Sequence, residues 1–119
     1  MPPKDQSIAL RIRIPLGETF AMGPGKADLL QAIQDAGSIS AAARSLGLSY
    51  RKARALVEEM NACFRAPVVA TAKGGADRGG AEVTELGQAV LQEYREIQRQ
   101  AWTSIQTSLK RFRRHLAER

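Results

Sequence analysis

The sequence predicts a mainly α-helical fold with a small amount of β-structure, on three observations. Apolar residues recur at helical spacing in four stretches, and short apolar runs elsewhere predict strands. Glycines stand between several of the helical stretches, where helices tend to end. The 119 residues suffice for one hydrophobic core but not for two. We predict a flexible tail over residues 1–7, a folded domain over 8–83 and a long C-terminal helix over 84–119.

The composition is that of a globular, basic protein. Lysine and arginine number 18 against 12 acidic residues, which gives a net charge of +6. A basic balance suits a polyanionic partner, although many proteins without one are basic too. The single Cys63 allows no internal disulfide, and the sequence contains neither a signal peptide nor an apolar run of about 20 residues. We therefore expect a cytoplasmic protein with no membrane partner.

The N-terminal part predicts two strands and a helix. Apolar side chains alternate over residues 8–14, which indicates a half-buried strand. A turn over 15–18 and a second strand at Thr19–Met22 are expected to follow. Pro24 suits the first turn of a helix because its fixed φ is compatible with that position, and this helix is predicted to reach about Ala36. Its inward-facing residues are expected to be Leu29, Leu30, Ile33 and Ala36.

Residues 37–60, GSISAAARSLGLSYRKARALVEEM, carry the most informative pattern in the chain. The first glycine can end the preceding helix, and Ser38 can cap the next one by accepting hydrogen bonds from its first amides. Gly47 breaks that helix, and Ser49 caps another that begins near Tyr50. Two helices joined by a short turn that contains glycine form a helix-turn-helix.

The second of these helices, predicted over about residues 50–64, has the charge of a DNA recognition helix. Its inward positions are expected to be Ala53, Leu56, Val57 and Met60. Its first turns expose Arg51, Lys52 and Arg54. Cations at that end of such a helix can contact base edges in the major groove. The alternative is an ordinary helical hairpin with a solvated basic face.

A glycine-rich segment, residues 73–80 (KGGADRGG), separates two short predicted strands at Val68–Ala72 and Glu82–Thr84. A two-stranded ribbon directly after a recognition helix is the wing of a winged helix. Glycine permits close approach to a DNA backbone, and Lys73 and Arg78 can displace condensed counterions there. One alternative is a mobile hairpin loop without contacts. A nucleotide-binding loop is disfavoured, because neither G-x-x-x-x-G-K-[ST] nor G-x-G-x-x-G is present.

The last helix is predicted to begin after its cap Thr84 and to continue to Leu116. Its apolar stripe, from Leu86 onward, would span about 46 Å, whereas a domain of this size has a radius of gyration of about 13 to 14 Å. The helix should therefore overhang its domain and be covered by a second copy. The predicted dimer contacts are Tyr94, Ile97, Ala101, Trp102, Ile105, Leu109 and Phe112. The alternative is a helix that breaks near Thr103–Ser104 and folds back on its own core.

Together these segments resemble the DNA-binding domain of the ModE family, the molybdate-responsive regulators of bacteria. The resemblance runs from about Leu10 to Ile97 and rests on MGPGKADLLQAI, GSISAAARSLGLSYRKARALVEEMN, the glycine-rich segment and VTELGQAVLQEY. The LysR-type domain is also similar. The resemblance implies a winged helix, a homodimer through the last helix, and binding of double-stranded operator DNA.

The resemblance also points to individual residues of the recognition helix and the wing. The expected base contacts are Tyr50, Arg51 and Arg54. The expected phosphate contacts are Ser38, Ser49, Lys52, Lys73 and Arg78. Arg54 departs from the family, whose members commonly carry tryptophan there, so the family's base preference is not carried over.

Full-length regulators of this type also carry C-terminal oxyanion-binding domains, whereas this sequence stops at Arg119. Molybdate binding is therefore not carried over, and we expect a stand-alone DNA-binding version with no cofactor and no metal. Its signal would come from another protein, from its own concentration or from a site that the sequence does not reveal.

Two other classes of function remain open. A protein-interaction module would use the basic end at residues 110–114 (KRFRR), although such cations also suit the C-terminus of a helix. A nucleoid-like binder would hold DNA without regard to its sequence. An enzyme is not expected, because His115 lies near the terminus, Cys63 has apolar neighbours, and no nucleophile–base pair or metal-ligand spacing occurs.

Overall fold

The computed structural model describes residues 10–71 and 80–118, which form helices and short strands. In chain order the elements are β1 (Ile14–Leu16), β2 (Thr19–Met22), α1 (Pro24–Ala36), α2 (Ile39–Leu46), α3 (Tyr50–Cys63), β3 (Val69–Thr71), β4 (Ala81–Val83), α4 (Glu85–Ser104) and α5 (Gln106–Arg113). β1 pairs with β2 and β3 with β4, each pair antiparallel. The predicted fold class, a mainly helical winged helix-turn-helix, is confirmed. The predicted flexible tail lies outside the described residues.

The first strand is shorter and begins later than predicted. The expected strand covered residues 8–14, but pairing begins in β1 and runs into the predicted turn, which Gly17 makes with a φ of 60°. Upstream of β1, the carbonyl oxygen of Ile12 accepts a hydrogen bond from the Tyr94 hydroxyl of α4 instead of from a strand partner. Over residues 10–14 the apolar side chains are half-buried and alternate with exposed arginines, but sheet pairing starts only at Ile14. β2 has the predicted bounds.

The ends of α1, α2 and α3 are set by residues that the sequence indicated. Pro24 begins α1, and Gly37 ends it in the left-handed conformation with a φ of 77°. The hydroxyl oxygens of Ser38 and Ser49 each accept from the amide three residues on, both at 3.0 Å. Gly47 ends α2 with a φ of 69°. The helix-turn-helix thus forms from local capping signals.

Small residues let these helices approach closely. Ala42, Ala43 and Ala53 are buried where α2 meets its neighbours. The largest fully buried side chains are Tyr94, Met22, Leu29, Leu30, Ile33, Met60 and Val68. Ala36 was expected to face inward but is exposed, as the last residue of α1; the last buried residue of that helix is Ile33.

The C-terminal helix is broken, which corrects the prediction of one continuous helix from 84 to 116. α4 ends at Ser104 and α5 begins at Gln106. The Ser104 hydroxyl donates to the carbonyl of Ala101, and the Gln106 side-chain amide donates to that of Trp102. Side chains thereby compete for carbonyl oxygens that backbone amides of a continuing helix would use. The break lies close to the position of the alternative, yet α5 contains no buried residue and does not fold back on the core.

α4 buries a different stripe from the predicted one. Its buried residues are Gly87, Leu91, Tyr94 and Gln98. Tyr94 is only 1% exposed, so it belongs to the protomer's own core, and its predicted place in a dimer interface is wrong. Ile97 and Phe112 are 42% and 62% exposed. The other predicted contacts, Ala101, Trp102, Ile105 and Leu109, are half-buried.

α4 and α5 make the molecule elongated, with principal extents of 57 × 30 × 24 Å. The end of α4 and all of α5 project from the helical core, as the predicted overhang required. Although α4 has 20 residues, no helix in the described ranges is both long and apolar enough to cross a membrane.

Candidate nucleic-acid interface

α3 is anchored by one face and presents the opposite face to solvent. Ala53, Val57 and Met60 are buried, whereas Arg51 and Lys52 in the first turn are exposed. Neither cation forms an ion pair with a described residue. The positive end of the α3 dipole lies at the same turn. An anion approaching this end of α3 would therefore meet two unpaired cations.

Arg54 is held on the surface of α3 by residues one turn before it and one turn after it. Its Nη1 donates to the Tyr50 hydroxyl at 3.0 Å, and its Nε lies 3.5 Å from Oε2 of Glu58. The hydrogen bond to Tyr50, followed by attraction to Glu58, raises the pKa of the Arg54 guanidinium. Tyr50 itself is half-buried and packs against the core. Sequence reasoning missed Glu58, although the spacing of four residues between 50, 54 and 58 was a usable signal.

The two serines predicted as phosphate contacts both cap helices. Ser38 lies at the N-terminus of α2 and Ser49 at that of α3, and each hydroxyl oxygen accepts from an amide of its own helix. A serine hydroxyl retains its own hydrogen as a donor when its oxygen accepts. Helix N-termini also favour anions. Both positions are thus chemically suited to a phosphate.

Glu59, which follows Glu58 in α3, forms an ion pair with α1. Oε1 of Glu59 lies 3.3 Å from the Lys26 ammonium of α1, which also donates to the carbonyl of Phe20 at 2.7 Å. The Lys26 side chain is largely covered, with 12% exposure. The charge of Glu59 is therefore directed toward α1, whereas that of Glu58 is directed toward Arg54.

Asn61 connects the recognition helix to the wing, a role that sequence reasoning missed. Its Oδ1 accepts from the amides of Val68 and Val69 at 2.8 and 3.1 Å, and its Nδ2 donates to the carbonyl of Val69 at 3.1 Å. These bonds fix the start of β3 against the C-terminal end of α3. Only the tertiary structure brings the partners together, so the sequence offered no signal beyond the asparagine itself.

The base of the wing is also fastened to α4. The Thr84 hydroxyl donates to the carbonyl of Pro67 at 2.7 Å and accepts from the Gly87 amide at 3.0 Å. Gly87 packs so closely that a Cβ there would lie 2.2 Å from the Val68 carbonyl oxygen. The wing tip, with the predicted phosphate contacts Lys73 and Arg78, lies outside the described residues.

The remaining reactive side chains lie apart from this surface. Cys63 is half-buried at the end of α3, and His115 is exposed beyond α5. Across residues 10–71 and 80–118, no group of three or more His, Cys, Asp or Glu side chains is placed to hold a metal ion.

Sequence comparison finds relatives among molybdenum-related proteins. The chain is 47% identical over 77 residues to the molybdenum-pterin-binding protein MopB of Rhodobacter capsulatus, covering 65% of this chain and 28% of the relative. It is 35% identical over 83 residues to the DNA-binding transcriptional dual regulator ModE of Escherichia coli, covering 70% and 32%. It is 32% identical over 98 residues to the molybdenum transport protein ModE of Azotobacter vinelandii, covering 82% and 35%. The chain thus spans roughly a third of the length of these relatives.

Structure comparison finds the same fold in CbnR and LysG. A crystal structure of the CbnR DNA-binding domain with DNA matches with a TM-score of 0.60 and 24% identity, covering 75% of this chain and 97% of that one. Full-length LysG from Corynebacterium glutamicum matches with a TM-score of 0.54 and 26% identity, covering 73% and 29%. No family model matches the chain. The chain thus has the winged-helix fold and is ModE-like in sequence, as the sequence resemblance predicted.

Proposed function

We propose that the chain is a dimeric, sequence-specific DNA-binding transcriptional regulator that inserts α3 into the major groove. The observation that carries this proposal is the position of Arg51 and Lys52, which are exposed and unpaired among the described residues in the first turn of a serine-capped helix. The relatives named as ModE regulators support the same function. Duplex DNA as the partner implies the cytoplasm as the location.

The residues of α3 and its neighbours divide between reading bases and holding phosphates. Arginine is the usual bidentate reader of guanine, so we assign base contacts to Arg51 and Arg54, with Tyr50 beside them. Phosphate contacts position a protein without reading sequence. We assign them to Ser38, Ser49 and Lys52, and to Lys73 and Arg78 of the wing tip.

We also propose that a second copy covers the outer face of α4 and α5. Ile97 and Phe112 leave 42% and 62% of their surface exposed, and Ala101, Trp102, Ile105 and Leu109 lie between them along the same projecting segment. Two-fold pairing is the commonest way to cover such a surface. A two-fold dimer would present two α3 helices to half-sites whose centres lie one or more helical turns, each about 34 to 36 Å, apart.

Selection of bound duplexes from a random pool with purified protein tests this proposal. We expect a pseudo-palindromic site that binds about 10³-fold or more tightly than random duplex at physiological salt, with affinity that falls steeply as salt rises. Equal binding of selected and random duplex would instead show a sequence-indifferent binder. Absence of binding at low salt would leave a protein-interaction module as the function.

A further inference from the structure

Tyr50, Arg54 and Glu58 form a line along one side of α3, one helical turn apart, which runs from the half-buried Tyr50 to the exposed Glu58. The guanidinium of Arg54 lies between the other two side chains, 3.0 Å from the Tyr50 hydroxyl and 3.5 Å from the Glu58 carboxylate. A long arginine side chain on a helix surface ordinarily samples many rotamers, which costs free energy when it is fixed on binding. Contacts on both sides restrict Arg54 before any DNA is present.

These contacts leave the useful donors of Arg54 unoccupied. A guanidinium has five N–H groups. Tyr50 accepts one from Nη1, and Glu58 faces the one on Nε. Among the described residues, one N–H group on Nη1 and both N–H groups on Nη2 have no partner. Those two terminal nitrogens are the pair that an end-on, bidentate contact with O6 and N7 of a guanine requires.

Glu58 itself is unexpected on a surface that meets DNA. Its side chain is 68% exposed, so packing does not account for it. A carboxylate on this surface opposes the phosphate charge, and it therefore weakens binding to any duplex that offers no contact to offset the repulsion. The side chain that Glu58 contacts is Arg54, so a guanine that accepts from Arg54 would supply such an offsetting contact on some sequences and not on others.

We propose that Tyr50 and Glu58 are positioning and specificity-determining residues, which hold the Arg54 guanidinium ready for a guanine while Glu58 disfavours DNA that lacks one at that position. This inference rests on the proposed insertion of α3 into the major groove. Specificity then arises from two sources, an oriented donor pair and a built-in penalty on other sequences.

Glu58→Gln and Glu59→Gln form a matched pair for the test. Both remove one negative charge from neighbouring exposed positions of α3, but Glu59 contacts Lys26 rather than Arg54. Binding is measured for the duplex selected by the wild type, for versions with each base pair changed, and for random duplex. We expect both variants to bind random duplex about twofold or more tightly. Only Glu58→Gln should reduce the selected-to-random ratio, by about fivefold or more.

Tyr50→Phe separates positioning from charge. It removes only the hydroxyl that accepts from Arg54 and changes no charge, so discrimination at one guanine should fall by a larger factor than affinity for random duplex does. The loss in both Tyr50→Phe and Glu58→Gln should be confined to the base pair at which Arg54→Ala loses discrimination. Unfolding midpoints equal to that of the wild type would confirm that each variant is folded.

Other outcomes overturn the inference in distinguishable ways. A Glu58→Gln protein that keeps the wild-type ratio would refute the positioning role and leave the proposed function intact. A change at a cytosine rather than at the Arg54-dependent guanine would mean that Glu58 reads a base directly, which also refutes it. If the wild type itself does not discriminate between selected and random duplex, the proposed function fails, and this inference fails with it.

Discussion

The hydroxyl of Tyr94 donates a hydrogen bond to the carbonyl oxygen of Ile12 at 2.6 Å, across 82 residues of chain. The bond joins the middle of α4 to the segment before β1. Tyr94 is 1% exposed, and burial raises the pKa of its phenol above the ordinary value of 10.0. The N-terminal segment is thereby held beneath α4.

Tyr94→Phe should destabilise the protein by about 1 to 2 kcal/mol, because the Ile12 carbonyl loses its donor in a covered position. Urea unfolding measures the difference in free energy of unfolding. Tyr50→Phe is the matched control, since the one partner of its hydroxyl within the described residues is the partly exposed Arg54, and its effect should stay within about 0.5 kcal/mol.

The same contact predicts a loss of stability at alkaline pH. A group whose pKa is raised in the folded state binds its proton more tightly there, so its contribution is complete below the unfolded pKa and is lost as pH rises through the folded pKa. For Tyr94 this loss begins near pH 10. Unfolding free energies of the wild type and Tyr94→Phe should therefore converge above pH 10. A difference that stays constant with pH would contradict this assignment.

Gly87→Ala should destabilise the base of the wing by about 1 to 3 kcal/mol, because the added methyl meets the Val68 carbonyl oxygen at 2.2 Å and the backbone must shift. Gly25→Ala, in the first turn of α1, supplies the control. A Cβ there would meet no atom within 4 Å, and alanine is the better helix former, so no loss is expected. Thermal unfolding of both variants decides the point.

Phe112→Asp should convert the proposed dimer into monomers, because it places a charge in the apolar surface that a second copy would cover. Light scattering would report a mass falling from twice 13.0 kDa to 13.0 kDa. Leu16→Asp is the control, since Leu16 is also exposed, at 50%, but belongs to β1 rather than to α4 or α5. A monomeric wild type, or dissociation by both variants, would exclude this interface.

Arg54→Ala and Lys73→Ala should impair DNA binding in different ways. Loss of a bidentate base reader should relax preference at one base pair by roughly 1 to 3 kcal/mol, whereas loss of a phosphate contact should weaken all sequences alike and lower the salt slope by about one. Isotherms on matched and mismatched duplexes separate the two. Equal losses on both kinds of duplex for Arg54→Ala would defeat its assignment as a base reader.

Local signals predicted most of the fold, because they act within one or two helical turns. Ser38, Gly47 and Ser49 cap or end helices through neighbouring amides and carbonyls. Their roles could therefore be predicted from their positions beside the apolar residues of each helix. The exposure of Arg51 and Lys52 likewise follows from helical periodicity once Ala53 faces inward.

Features that depend on distant contacts were not predictable in this way. Nothing near Ile12 indicates that its carbonyl is bonded to Tyr94, so the start of β1 was placed too early and Tyr94 was assigned to a dimer surface. The break after Ser104 was given only as the alternative to a continuous helix, because serine and glutamine also occur within helices. The role of Asn61 depends on where β3 packs.

The bonds of Asn61 to Val68 and Val69, together with those of Thr84 to Pro67 and Gly87, tie α3 to the start of α4 through the base of the wing. In the proposed dimer, the distance between the two α3 helices would then depend on the length of α4 that separates the wing from the dimer contacts. One residue inserted into α4 before the dimer contacts would move those contacts by about 1.5 Å along the helix axis and rotate them by about 100° about it. The length of α4 would thus set the spacing between half-sites that the proposed dimer prefers.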